Sequence, residues 1–152
     1  MNKNMNKNEY QIRSPWHLWL IGLIFTFLYS YAIYDIFMML GHNEAYYSSK
    51  HLGKAAYTYF TNYPVFPLIF WVLNIVSGAI APILLLLRSR LAVPTSLISA
   101  ISIIILEFIT FTFRNRWNAL GSSIGIFDII MLLITVGLYF YCKAMGKLGV
   151  LK

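Results

Sequence analysis

Four long runs of apolar residues, separated by shorter polar connections, dominate the chain. The runs cover about residues 16–40, 64–87, 91–113 and 124–142. At 1.5 Å per residue, runs of this length form helices of roughly 28 to 38 Å, which matches a bilayer hydrocarbon core near 30 Å. The pattern predicts an all-α polytopic membrane protein, with four transmembrane helices in an up-and-down bundle.

The segments around these runs complete the predicted organisation. Residues 1–14 are polar and rich in Asn and Lys, and they predict a disordered cytoplasmic tail before a transmembrane domain of residues 15–152. The first run is too long for a signal-peptide core, so we expect it to stay in the protein. The outer connection, residues 41–63, is rich in tyrosine and predicts a short interfacial helix within residues 49–62.

Composition agrees with this class of protein. Hydrophobic residues make up 59% of the chain and charged residues 11%, against about 25% charged in a typical soluble domain. A soluble enzyme, a disordered chain and a secreted disulfide scaffold are therefore excluded. Cys142 is the single cysteine, so no disulfide forms within the chain.

The net charge of +7 results from 12 basic and 5 acidic residues. Because the basic residues flank the apolar runs, they predict topology and contact with lipid headgroups, and no nucleic-acid partner is expected. With the N-terminus inside, eight Lys or Arg lie inside and four outside. The inner set is Lys3, Lys7, Arg13, Arg88, Arg90, Lys143, Lys147 and Lys152, and the outer set is Lys50, Lys54, Arg114 and Arg116. The count predicts that both termini are cytoplasmic.

Three of the five acidic residues, Asp35, Glu107 and Asp128, lie inside the apolar runs. Such residues are expensive at membrane depth and suggest a functional site. Counting from the helix ends puts all three roughly 6–9 Å below the outer boundary. The polar faces of the helices predict an outward-opening pocket for a substrate or a proton, formed by Asp35, Glu107, Asp128, Asn74 and Trp71, with Tyr34 beside Asp35.

A structural interpretation of the same acids remains open. Arg114 follows Glu107 on the same helical face and Arg116 is close by, so the acids are also placed to pair with these arginines, or with Lys50 or Lys54. We expect no metal site, because the nearby histidines match no zinc spacing. No catalytic motif or cofactor-binding motif is present, so we expect neither an enzyme nor a cofactor.

Four segments resemble a family of small bacterial four-helix membrane proteins often labelled as sugar transporters. They are Pro15–Gly22 (PWHLWLIG), Asn43–Tyr46 (NEAY), Leu84–Pro94 (LLLLRSRLAVP) and Gly149–Lys152 (GVLK). Asp35 matches an acidic residue of the family in helix 1 and Trp71 matches a tryptophan in helix 2, whereas Phe66 replaces a second tryptophan. The resemblance implies a multi-pass protein of the bacterial inner membrane that transports a small polar solute.

Two functions therefore remain open. The first is a transporter-like protein, and since four helices enclose little space, its path would need a homodimer or a larger homo-oligomer. The second is a membrane scaffold or an accessory subunit of a larger complex, which the short connections and the absence of recognised chemistry favour. In either case, the lipid bilayer is an expected partner.

Overall fold

The computed structural model describes residues 15–152, and every regular element in that part of the chain is a helix. The helices are α1 Trp16–Leu40, α2 Glu44–Ser49, α3 Lys54–Phe60, α4 Val65–Leu86, α5 Ala92–Phe113, α6 Arg116–Leu120 and α7 Ser122–Lys147. Four of them, α1, α4, α5 and α7, are long and apolar enough to cross a membrane, with mean hydropathies of 1.7 to 2.3. The predicted all-α, four-span fold is confirmed. The predicted tail, residues 1–14, lies outside the described residues.

Helix α7 extends beyond the predicted run at both ends, whereas α1, α4 and α5 begin and end within one residue of theirs. It covers Ser122–Lys147 rather than residues 124–142. Its final turns are helical although they are less apolar, because exposed Lys143 and Lys147 keep their ammonium groups in water. Positive charge at a helix C-terminus is also favourable. Hydrophobicity therefore locates the span but not the end of the helix.

The connections contain more helix than the sequence predicts. Two short helices, α2 and α3, occupy residues 41–63, where one was expected. Asn43 caps α2, because its side-chain oxygen accepts a hydrogen bond of 2.9 Å from the backbone N–H of Tyr46. The connection between α5 and α7 holds α6, which no sequence signal indicated. Asn115 and Gly121 flank α6 with φ of 48° and 87°, so the chain turns sharply on both sides of this helix.

The four long helices form an up-and-down bundle. Helix α1 packs against α4, α4 against α5, and α5 against α7. Helices α4 and α5 are joined by a tight turn in which Arg88 has a φ of 57°. Helix α3 packs against α6, and α6 packs against α7. The three short helices therefore lie at one end of the bundle, which we call the loop end.

The opposite end, which we call the turn end, brings together the start of α1, the α4–α5 turn and residues 148–152. Leu18, Leu85, Cys142 and Leu151 are each 0% exposed and share one apolar core there. The backbone N–H of Lys152 donates to the carbonyl of Arg88 at 2.6 Å. The last residues of the chain are therefore part of the packed bundle.

A close helix contact lies at mid-bundle, where the ring of Tyr29 on α1 packs against Gly78 on α4. A Cβ atom at position 78 would lie 2.1 Å from two carbons of that ring. Pro82 lies one turn further along α4 and is buried, and the helix continues through it from Val65 to Leu86.

The outer surface of the long helices is apolar. Phe27 is 76% exposed, Phe37 71% and Leu133 63%. Water solvates such a surface poorly, whereas lipid chains cover it at no cost. The protein is therefore membrane-embedded, and polar side chains such as Asn74, Ser99 and Thr135 are buried inside the bundle.

Candidate functional site

A cavity of about 110 Å³ lies among α1, α4, α5 and α7, in the half of the bundle nearer the loop end. Each long helix contributes a polar or aromatic side chain to its wall. The five residues predicted to form a pocket all line it: Asp35, Trp71, Asn74, Glu107 and Asp128. Counting residues from the helix ends therefore located the level at which these side chains meet. Their role as a substrate or proton site stays a prediction.

Asp35 lies at the edge of the cavity and contacts Tyr46 of α2 and Lys50, the residue after α2. We call these three residues the rim. The ammonium of Lys50 lies 3.1 Å from its carboxylate, and the hydroxyl of Tyr46 donates a hydrogen bond to the same oxygen. The side chains of Lys50 and Asp35 are 31% and 26% exposed, so this ion pair is accessible from outside the bundle. The Lys50 ammonium also lies 5.1 Å from the ring centre of Tyr31.

The contacts around Asp35 shift the pKa values of Tyr46, which lies in α2, and of Lys50, which follows α2. Burial alone lowers the pKa of Lys50, but hydrogen bonding to Tyr31 and the charge of Asp35 outweigh burial, so the net pKa is raised. Burial, followed by the hydrogen bond to Asp35, raises the pKa of Tyr46. Lys50 therefore stays charged and Tyr46 stays a hydrogen-bond donor over the physiological pH range.

Asp128 is held by Arg116, the first residue of α6. The guanidinium donates two hydrogen bonds to the carboxylate, at 2.7 Å from Nε and 3.1 Å from a terminal nitrogen. Both side chains are nearly buried, with exposures of 13% and 11%. Burial alone lowers the pKa of Arg116, but the bond to Asp128 outweighs it and raises the pKa. This forked geometry is the strongest form of carboxylate–arginine contact.

Glu107 differs from the other two acids because no cation of residues 15–152 is paired with it. Among residues 15–152, no Lys, Arg or His nitrogen lies within 4.0 Å of its carboxylate. Within the described part of the chain, the one hydrogen-bond contact of this carboxylate is the hydroxyl of Thr110, one turn further along α5, at 3.4 Å. Glu107 is only 9% exposed and lines the cavity. Glu107 is therefore a buried carboxyl group in the wall of the cavity.

The alternative prediction, in which the acids form structural ion pairs, describes part of this arrangement. Arg116 and Lys50 each pair with an acid, as that interpretation expected. Arg114, the partner expected for Glu107, instead donates to the backbone carbonyl of Tyr59 at 2.9 Å. Its guanidinium stacks on the rings of Tyr59 and Tyr63, with its central carbon 4.3 and 4.4 Å from their centres.

Tyr34, predicted to lie beside Asp35 in the pocket, is not on the cavity wall. It is 47% exposed, and its ring packs edge-to-face on Tyr46 with the ring centres 5.5 Å apart. It therefore supports the rim from outside.

A network of hydroxyl and amide groups forms the floor of the cavity, towards the turn end. The hydroxyl of Tyr29 lies 3.0 Å from Ser99 Oγ and 3.0 Å from Thr135 Oγ1. The amide of Asn74 donates to Ser99 Oγ at 2.9 Å. Tyr29 lines the cavity but was not predicted from the sequence as a site residue. The sequence indicated its position only indirectly. The small residues Gly78 and Ser99 leave space that a large side chain from another helix fills.

The wall also contains Tyr63, whose hydroxyl is buried and has no hydrogen-bond partner within residues 15–152. Burial raises the pKa of Tyr63, so the group stays a neutral donor. An unsatisfied buried hydroxyl costs about 1–3 kcal/mol.

No group of three or more His, Cys, Asp or Glu that would hold a metal ion occurs within residues 15–152. His42, one of the histidines near the acids, packs on the ring of Tyr57, with the ring centres 4.5 Å apart.

Comparison of the chain with protein-family models, with curated proteins and with solved structures gives no match. The resemblance to the small bacterial four-helix family stays a prediction. The chemistry of the cavity is the remaining guide to function.

Proposed function

We propose that this chain is a transporter-like protein of the bacterial cytoplasmic membrane, which binds a small polar solute in the acid-lined cavity. The observation that carries this proposal is Glu107, a buried carboxyl group that lines the cavity and is paired with no cation of the described residues, 15–152. An ionisable residue at membrane depth costs about 2.5–3.5 kcal/mol on insertion scales. Helix packing alone does not require such a group.

The other walls of the cavity suit a small solute. Most ligand sites combine apolar surface with a few convergent polar groups. Here Leu28, Ile75 and Leu106 supply apolar surface, while Asn74 and Tyr63 supply hydrogen-bonding groups. Asp35 lines the cavity, and its partly exposed ion pair with Lys50 lies on the side of the loop end.

The distribution of basic residues supports an orientation with both termini in the cytoplasm. The turn end holds Arg88, Arg90, Lys143, Lys147 and Lys152. At the loop end, Lys50 and Arg116 are tied to carboxylates. The excess of positive charge therefore lies at the turn end, and such an excess favours the cytoplasmic side. The cavity then opens towards the outside.

A passage through the whole membrane requires a change at the cavity floor, where Tyr29, Ser99 and Thr135 are joined by hydrogen bonds. We propose that assembly as a homodimer or larger homo-oligomer accompanies this change, because one four-helix bundle encloses only a small cavity. The resemblance to the bacterial family adds sugars as candidate solutes.

Flux through proteoliposomes tests the proposal. The purified chain is reconstituted and assayed with a panel of sugars, amino acids, organic cations and organic anions. We expect flux of at least one solute class, and we expect Glu107→Gln and Asp35→Asn to reduce it. Glu44→Gln is the matched control, because Glu44 is exposed on α2 outside the cavity. Absence of flux for every class, or flux equal in all variants, contradicts the proposal.

A second candidate function is a non-transporting scaffold or accessory subunit. It is favoured by the ion pairs of Asp35 with Lys50 and Asp128 with Arg116, since paired acids can serve stability alone. Purification in mild detergent then recovers a stoichiometric partner, and Glu107→Gln leaves that partner bound. Recovery of the chain with only copies of itself contradicts this function.

A further inference from the structure

The charges around the cavity do not balance among the residues that the structure describes. Each of two carboxylates holds a cation that the chain supplies: Asp35 holds Lys50, and Asp128 holds Arg116. Glu107 is the third carboxyl group on the wall and has no such cation among the described residues. When Glu107 is ionised, one negative charge therefore remains uncompensated in a buried site.

An isolated charge in a low-dielectric interior is too expensive to persist. Two ways of cancelling it are open to Glu107: a proton bound to its own carboxyl group, or a positive charge that enters the cavity. Both occupy the same carboxylate oxygens, so they exclude each other. The arrangement therefore couples the arrival of a cation to the departure of a proton.

The walls select the kind of cation. A metal ion requires a shell of oxygen ligands, whereas much of this cavity is lined by apolar and aromatic side chains, including Leu28, Ile103, Phe127 and Trp71. Aromatic faces attract organic cations, and the protein's own cations use them here. Lys50 lies over the rings of Tyr31 and Tyr46, and Arg114 lies over those of Tyr59 and Tyr63.

We propose that the cavity binds a small monovalent organic cation, of the ammonium or guanidinium class, in exchange for the proton of Glu107. This inference rests on the proposed function and names its solute class. In the exchange, the carboxyl O–H of Glu107 breaks, its proton passes to water, and the N–H groups of the cation donate to the carboxylate. One positive charge enters as one leaves, so the charge of the cavity does not change.

Charged and titratable groups face Glu107 from several elements. They are Tyr29, Tyr31 and Asp35 on α1, Tyr63 before α4, Arg116 on α6 and Asp128 on α7. The two ion pairs keep Asp35 and Asp128 neutralised, and Tyr63 keeps its proton. Glu107 is therefore the group that changes its protonation state when the cation binds.

Proton release on binding tests the proposal directly. The full chain in detergent and weak buffer is mixed with guanidinium, or with urea as an uncharged molecule of the same shape. We expect guanidinium to release about one proton per chain at saturation and urea to release none. Glu107→Gln removes this release and weakens guanidinium binding by roughly 10- to 100-fold, as expected for the loss of a hydrogen bond to a charged group.

Two further variants show whether misfolding, rather than loss of the carboxyl group, removes the proton release. Glu107→Asp keeps a carboxyl group and restores proton release, while Glu44→Gln behaves as the unmodified chain. Equal binding of guanidinium and urea, or proton release that persists in Glu107→Gln, overturns the proposal.

Proteoliposomes containing a trapped pH dye separate this inference from the proposed function. Guanidinium flux with counterflow of protons supports both. Flux of a sugar without proton movement overturns the inference and leaves transport intact. Proton release in detergent without flux in proteoliposomes supports the cation site and overturns transport.

Discussion

Replacing Gly78 with alanine puts the packing of the bundle to a strict test. The new Cβ would lie 2.1 Å from ring carbons Cε1 and Cζ of Tyr29 and 2.6 Å from its hydroxyl oxygen. Tyr29 is 1% exposed, and its hydroxyl bonds to Ser99 and Thr135. These two hydrogen bonds hold the ring in its present position, so α1 and α4 must separate or the network must break.

The expected cost follows from three contributions. Overpacking of a filled interior costs about 1–3 kcal/mol. Hydrogen bonds between membrane helices contribute about 0.6 kcal/mol each, so breaking both bonds of the Tyr29 hydroxyl adds about 1.2 kcal/mol. The higher helix propensity of alanine than of glycine offsets up to about 1 kcal/mol of this cost. We therefore expect Gly78→Ala to lower the free energy of unfolding by about 1–3 kcal/mol.

Unfolding in mixed micelles can be followed through Cys142, the single cysteine, which is 0% exposed in the folded bundle. A maleimide dye labels it only when the bundle opens, so labelling against denaturing detergent gives the unfolding curve. Gly137→Ala on α7 is the control, because position 137 is exposed and a Cβ there meets nothing within 4 Å.

A double-mutant cycle identifies the contact responsible. In a Tyr29→Ala background the ring is absent, so Gly78→Ala becomes nearly neutral there. The reasoning fails if Gly78→Ala costs the same with and without the ring, or if it is as harmless as Gly137→Ala.

Two further predictions concern the ion pairs and the orientation. Arg116→Met leaves the carboxylate of Asp128 buried without its cation and lowers stability by about 3–5 kcal/mol, measured by the same labelling assay. The double variant Arg116→Met/Asp128→Leu is more stable than Arg116→Met alone, and the opposite order contradicts the ion-pair argument. In a Cys142→Ala background, cysteine at position 44 reacts with an impermeant maleimide added to intact cells, whereas cysteine at position 148 does not. The reverse labelling pattern overturns the cytoplasmic assignment of the termini.

The depth of the acids was readable from the sequence, but their partners were not. Counting from the ends of the apolar runs places Asp35, Glu107 and Asp128 at one level, since the helical rise is constant. Arg114 looked like the partner of Glu107 because it follows on the same helical face. However, α5 ends at Phe113, and Arg114 turns to the carbonyl of Tyr59.

The choice of Arg116 as the partner of Asp128 depends on the chain turn at Asn115, whose φ of 48° no apolar pattern reveals. Lys50 reaches Asp35 because α2 folds back on α1. Periodicity describes one helix at a time, and these contacts form between elements. For the same reason Tyr29, which joins three helices, had no local signal.

The short sequence separation of both ion pairs bears on how the protein enters a membrane. Asp35 and Lys50 are 15 residues apart, and Arg116 and Asp128 are 12 apart. Each acid thus emerges from the ribosome close to its own counter-ion, within one span and its flanking loop. The translocon can pass α1 and α7 into lipid with their charges already cancelled, before the bundle assembles. Arg114 and Arg116 follow Glu107 in the sequence, but Arg114 donates to the carbonyl of Tyr59 and Arg116 pairs with Asp128. Helix α5 therefore crosses into lipid most cheaply when Glu107 carries a proton.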